Sequence, residues 1–292
     1  PMRYLGIPLV ARKHRKSDCA PLLEAINKRI NHWSTRWLTY AGRTVLIKSV
    51  LCSICSFWAC IICLPKGVIY EVERKFRAFL WRNTGAKIAW NDICYPLREG
   101  GLGIRKLKDI NLCSQLKHFW RFFCCRDTLW SKWIFTNYIK DGSIWIMHCG
   151  NHHSWVVKML LECKQIAKPL IKIQMGNGNA THFWHDPWFN GRSLVDEWSS
   201  TFPEPPFLAR VSEVFSGSSW NWPLGLLHLP TPDFQLHQDR NDNFEWSLSK
   251  LNKFDFKAVW DHVRHKKNQA HWHNSIWFGG HTPRHAFILW LA

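Results

Sequence analysis

The 292-residue sequence is poor in negative charge, with 21 aspartates and glutamates against 39 lysines and arginines. No two aspartates are adjacent in it. Metal-assisted nucleotidyl transfer needs acidic side chains converging on two cations, so a familiar device for that reaction is missing. Asp92 and Glu99 stand alone near expected turns, and Asp239 and Asp242 fall in a polar, loop-like stretch that reads as solvated. Cysteine is absent after Cys163, and no amino-terminal segment joins a basic start to an apolar run and a small-residue cleavage site. An odd count of 11 cysteines, two of them adjacent at Cys124 and Cys125, fits reduced thiols in an intracellular protein better than a disulfide framework. The uncharged run from Ser49 to Leu64 falls short of the roughly 20 residues that cross a bilayer, so no membrane partner is expected. Gly100-Gly101-Leu102-Gly103 lacks the Lys-Ser/Thr pair of a phosphate loop and reads as a plain turn. No nucleophile motif, low-complexity block or fixed-period repeat is present.

What the chain does have is 46% apolar and 15% aromatic content, enough to bury a sizeable core over two domains. The charge is lopsided. Residues 1–140 hold 25 basic and 8 acidic side chains, a net of +17, and the remainder holds 14 and 13. A polyanion is the expected partner of the first half, with a solvated basic surface as the plain alternative.

Apolar residues at Leu22, Ile26, Ile30, Trp33 and Trp37 predict a helix that starts near Asp18 and Pro21. Ala41 to Leu64 reads as a central buried helix. Ile69, Val72, Phe76, Phe79 and Leu80 share the face of a third, and Asp109 can cap a fourth that buries Leu112, Leu116, Phe119, Trp120 and Phe123. Composition changes near residue 140. Lys172–Met175 and Thr181–Trp184 flank Gly176-Asn177-Gly178-Asn179, the pattern of a β-hairpin. A Pro- and Ser-rich stretch follows, then a strand at Phe244-Glu245-Trp246, a helix from about Phe256 to Arg264, and the apolar run Ala286 to Ala292. The expected fold is mainly α with minor β: a basic helical module over 1–140, a Trp-rich region with an α/β-hairpin over 141–198, a linker over 199–232, and a final domain over 233–292 cut short by the chain end. Pro1 and Ala292 both read as cut ends.

Metal-like spacings give way to geometry. Cys52, Cys55, Cys60 and Cys63 on one helix would span roughly 16 Å, too far for one ion, so buried thiols are expected. His262, His265, His271, His273, His281 and His285 lack accompanying cysteines or carboxylates. On a strand, His185 and Asp186 cannot both face a ligand with His182, because neighbouring side chains alternate. Most of the 20 tryptophans, including Trp33, Trp58 and Trp120, are assigned to the core. The candidate phosphate contacts are Lys28, Arg29, Arg36, Arg43, Lys48, Arg74, Lys75 and Arg77, and no catalytic or metal residue is assigned.

In order along the chain, Tyr4-Leu5-Gly6-Ile7-Pro8-Leu9, Trp33-Ser34, Gly42 to Leu51, Leu64-Pro65-Lys66, Phe79-Leu80-Trp81, Trp90 and Glu99 to Ile104 resemble the region after the polymerase palm of LINE-type (non-LTR) retrotransposon reverse transcriptases. Gly176-Asn177-Gly178, Phe183 to Trp188, Phe254 to Trp260 and Pro283 to Ala292 extend the resemblance to the opening of that family's zinc-binding domain. It implies a thumb-like basic module that binds RNA and DNA as template and primer, within a parent RNA-directed DNA polymerase and the rest of its polyprotein. Catalytic aspartates would lie before Pro1 and zinc ligands after Ala292. Magnesium would serve the parent enzyme and zinc the downstream ligands, and this chain would hold no cofactor and be inactive alone. A nuclear setting follows for an active element. A decayed or repurposed remnant acting as a protein-interaction scaffold, or without function, is the alternative, with an organellar relic copy as one form of it.

Overall fold

The computed structural model of the chain describes residues 3–10, 12–35, 37–82, 84–140, 142–150, 153–198, 208–216, 219–249 and 253–292. Its main helices are α1 (Ala20–Ser34), α2 (Tyr40–Ala59), α3 (Lys66–Trp81), α4 (Leu107–Cys124), α5 (Leu129–Ile134), α6 (Trp155–Ala167), α7 (Phe256–Val263) and α8 (Pro283–Leu291). Three two-stranded antiparallel sheets accompany them: β1 (Arg3–Tyr4) with β2 (Ile7–Pro8), β3 (Ile171–Gln174) with β6 (Asn243–Trp246), and β4 (Phe215–Ser216) with β5 (Ser219–Trp220). The architecture is thus mainly helical with small sheets. It divides into two compact units, residues 1–114 with 260–292, and residues 115–259. The composition shift near 140 tracks charge, whereas these divisions track packing.

In the first unit α1 opens with Pro21 in its first turn, where no intrahelical N–H is needed, and buries Leu22 and Ile26. Trp37 is not on that stripe. The helix ends at Ser34, and Trp37 lies beyond it, 94% exposed. Helix α2 is continuous but takes one wider, π-helical turn at Ile47–Leu51, and it buries Ile47, Leu51, Cys55 and Trp58. By length and composition it is also long and apolar enough to cross a membrane. Cys52 and Cys55 pack inward, and burial pushes the Cys52 thiol up to about 12. Helix α3 buries Val68, Val72, Phe76, Phe79 and Leu80, with the expected Ile69 only half-buried. Asp109 is not the cap of α4. The Leu107 N–H donates instead to Glu73 Oε1 of α3 at 3.0 Å, while Asp109 sits in the first turn of α4, where burial raises its carboxyl. The expected Leu112 is only half-buried; Leu116 and Phe119, in the part of α4 that belongs to the second unit, are fully buried.

The tail of the first unit is tied to the turn after Pro96. Glu99 is buried there and receives both Arg264 Nη groups, at 2.7 and 2.6 Å, together with the Lys267 N–H at 3.0 Å. Asp92 pairs with Lys267 at 3.6 Å. Gly101 is required at this turn, because a Cβ there would lie 2.1 Å from the Tyr95 carbonyl oxygen.

In the second unit the expected hairpin is absent. Strand β3 pairs with β6, Ile171 opposite Trp246, rather than with residues 181–184. The glycine-rich segment wraps around a carboxylate. Asp242, expected in solvent, is buried and accepts the N–H groups of Gly176 (2.9 Å), Gly178 (2.8 Å) and Ala180 (3.0 Å) and the Thr181 hydroxyl (2.9 Å). Gly178 supplies the positive φ of +72° that this loop needs. Phe183, Trp184, Trp188, Leu194, Val211 and Leu226 form the adjoining aromatic core. Val211 and Leu226 come from the stretch read as a linker, of which residues 199–207, 217 and 218 lie outside the described residues.

Candidate nucleic-acid interface

The eight cations expected to meet phosphates are placed very differently. Lys28 and Arg29 are exposed on α1, and Arg74 is exposed on α3. Lys75 is half-buried, 3.7 Å from Glu71, and the Arg77 guanidinium lies 6.0 Å from the Tyr70 ring. Arg43 is buried, donates to the Phe79 carbonyl at 2.7 Å and stacks on that ring. Desolvation lowers its guanidinium below the ordinary value. Lys48 donates to the Leu102 carbonyl at 3.0 Å, and burial of its ammonium lowers it too. Arg36 lies outside the described residues.

Of these, the fold brings Arg43 and Lys75 to one groove, of about 580 Å³, between α1 and α3. Asn27 and Asn31 line its α1 side, one helical turn apart, and Trp37 and Arg82 close one end. Lys28, Arg29, Lys48, Arg74 and Arg77 are not among its lining residues. Arg82 is the left-handed C-cap of α3 (φ +53°), a conformation usually left to glycine. Its guanidinium donates to the Leu38 carbonyl at 3.2 Å and lies 5.8 Å from the Trp37 ring. A second cavity of about 570 Å³, lined by Trp37, Tyr40, Arg82, Arg284 and Phe287, adjoins the same pair.

The groove therefore offers three guanidinium or ammonium groups, two amides and an exposed indole, with no carboxylate among its described lining residues. Such a set can bind a phosphodiester chain by charge-assisted hydrogen bonds and stack an unpaired base. Trp37 and Arg82 were missed in the sequence. The usable signal for Trp37 was its position past Ser34 and Thr35, where a hydrophobic period is not evidence of a helix. Among the described residues, no three His, Cys, Asp or Glu side chains gather closely enough to hold a metal ion.

A scan against protein families matches none to this chain. Among curated proteins the chain is similar to one from Arabidopsis thaliana named "Putative ribonuclease H protein", 24% identical over 308 aligned positions. The alignment covers 98% of this chain and 50% of the relative, so the chain spans about half the length of the curated relative it matches. This corrects the expected kinship with LINE-type reverse transcriptases: the relative that runs the length of the chain carries a ribonuclease H name. The phrases behind that expectation were short and lie at turns and in buried helices, where many proteins carry the same residue types. The zinc-domain label rested on that kinship alone, and the thumb label on it together with the basic, amphipathic helices of residues 1–140.

Proposed function

We propose that this chain is a nucleic-acid-binding portion of a larger, retroelement-related nucleic-acid-processing protein, with the groove between α1 and α3 as its principal contact surface. The single observation that carries the reading is the exposed Trp37 stacked with Arg82 at the end of a groove whose described charged lining is wholly cationic. The relative's ribonuclease name makes RNA the first ligand class to test, and single-stranded RNA suits an exposed indole better than a closed duplex does. Lys28, Arg29 and Arg74, exposed on the same two helices, are assigned backbone contacts outside the groove, and Arg43 serves the groove wall more than the strand.

The test is fluorescence anisotropy of the full chain with labelled single-stranded RNA and an RNA–DNA hybrid across a salt series. Affinity should fall steeply with salt, as counterion release requires. Trp37→Ala should lose about 1–3 kcal/mol of binding with an unchanged melting temperature, since the indole is in solvent. Salt-independent binding, or a Trp37→Ala variant that binds like the native chain, would overturn the reading.

A further inference from the structure

The second unit contains a cationic cavity that the groove reading does not use. Its volume is about 370 Å³, within the range of small-molecule sites, and Arg126, Lys132, Lys140, Arg210, His182 and Asp186 are among its lining residues. Arg126 is held in place by aromatic rings, its guanidinium 5.3 Å from Phe244 and 5.4 Å from Phe135. Arg126 and Arg210 each donate to the same acceptor, the Ala180 carbonyl, at 3.3 Å. Two guanidinium groups thus share one neutral oxygen, and with Lys132 and Lys140 the described lining carries four cationic side chains against the single carboxylate of Asp186, an excess that an anionic ligand would offset.

Asp186, the one carboxylate among the described lining residues, is already engaged. Its oxygens accept the Trp145 indole N–H and the His182 backbone N–H, both at 2.6 Å. His182 is 4% exposed; its ring meets the Gly142 backbone, and its Nδ1 makes no well-formed hydrogen bond among the described residues. A buried ring nitrogen without a well-formed hydrogen bond costs free energy that a ligand could recover. On a strand, His185 and Asp186 were not expected to face one ligand together with His182. The segment turns instead, and His182 and Asp186 both line this cavity.

The geometry points to a phosphate-binding site in the second unit, in which Arg126, Lys132, Lys140 and Arg210 receive a phosphate monoester and His182 adds a hydrogen bond. Two planar guanidinium forks suit phosphate oxygens bidentately, and the two exposed lysines supply charge at the mouth. The monoester could belong to a free nucleotide or to the phosphorylated end of a strand. This site stands without the groove.

The experiment is calorimetric titration of the full chain with adenosine monophosphate and with adenosine, beside short RNAs carrying a 5′-phosphate or a 5′-hydroxyl. We expect the monophosphate to bind and adenosine not to, and a Lys132→Gln/Arg210→Gln variant to bind the monophosphate about tenfold more weakly or worse. Should that variant melt earlier than the native chain, the single Lys132→Gln, on an exposed side chain, is expected to lose about threefold with no change in melting. Equal binding of monophosphate and adenosine, or monophosphate affinity untouched by the substitutions, overturns the proposal. A preference for the 5′-phosphorylated RNA over the monophosphate identifies a strand end as the source, and the reverse identifies a nucleotide. Trp37→Ala separates the two sites: it should weaken the 5′-hydroxyl RNA and leave the monophosphate affinity unchanged.

Discussion

In the first unit the helices hold most of their charge at the surface and bury one strong ion pair, Glu99 with Arg264, which ties the chain's tail to the turn after Pro96. In the second unit two carboxylates lie inside loops and gather N–H groups: Asp242 holds the 176–181 segment and Asp186 the 182–186 turn. Helices satisfy their own backbone, so the first unit can spend its ionic groups on ligands and on one tie. Irregular backbone cannot, so the second unit spends carboxylates on satisfying it.

The largest break in this comparison should come from Asp242→Ala, which leaves three backbone N–H groups and a hydroxyl without their acceptor. At ~1–3 kcal/mol each, and less than additively, the loss is about 5 kcal/mol. Hydrogen exchange should show it over 171–182 and 243–246, with α1 and α3 protected as before. Uniform loss across both units would contradict the division. Next is Arg264→Met, which strands a buried Glu99 carboxylate and should cost the first unit ~3–5 kcal/mol in denaturant unfolding. Adding Glu99→Gln should restore much of that loss, because the uncompensated charge is what costs.

The third test uses pH. Burial raises Asp186 from its ordinary range to about 6, against the pull of its N–H donors and Arg126. Burial also lowers His182 to about 4, with Arg210, His185 and Arg126 adding to it. The Asp186 contribution is fully present below its unfolded value near 4 and is lost as pH rises through about 6. The His182 contribution is present above its unfolded value near 6.5 and is lost as pH falls through about 4. Each amounts to ~3 kcal/mol and the two oppose, so the second unit's stability should be nearly flat between pH 4 and 6. His182→Gln should expose a loss with rising pH over that window, and Asp186→Asn a loss with falling pH. Parallel profiles for both variants would show that burial does not hold these groups as described. The smallest effect is Arg82→Gly. It relieves a left-handed non-glycine cap and should stabilise the first unit by about 1 kcal/mol, while RNA affinity falls severalfold because the partner of Trp37 is gone.

The same contrast explains what could be read from residue order. The stripes of α1, α3 and α4 were legible because burial follows the helical period: Leu22 with Ile26, Val72 with Phe76, Leu116 with Phe119. The strand at 243–246 and helix α7 were legible for similar local reasons, whereas α8 showed in the sequence only as an apolar run from Ala286. Gly176-Asn177-Gly178 was misread because glycine and asparagine serve a tight hairpin and a carboxylate-wrapped loop alike. What decides between them is Asp242, more than sixty residues away and flanked by Asn241 and Asn243 in a stretch that looks polar. The candidate groove was half legible. Two of its cations, Arg43 and Lys75, were among those singled out in the sequence, but the meeting of Trp37 with Arg82 depends on a left-handed turn at an arginine, which no residue preference announces. Asp109 failed as a cap for a related reason: Glu73, on another helix, takes the N–H.

Because the first unit is built from residues 1–114 and 260–292, it is discontinuous in the order of synthesis. A ribosome adding about 5–20 residues per second needs roughly 10–40 seconds to pass from the first segment to the end of the second. Until Arg264 has been made the Glu99 carboxylate lacks its bidentate partner and has only Arg98 beside it, and until Phe287 has been made Tyr40 and Trp81 lack the ring that packs on them in the finished fold. The nascent amino-terminal helices therefore have to wait in an incomplete state, strongly basic and with part of their apolar surface open. In a cell that state is a natural client for a chaperone, or for the same RNA that the finished groove is proposed to hold.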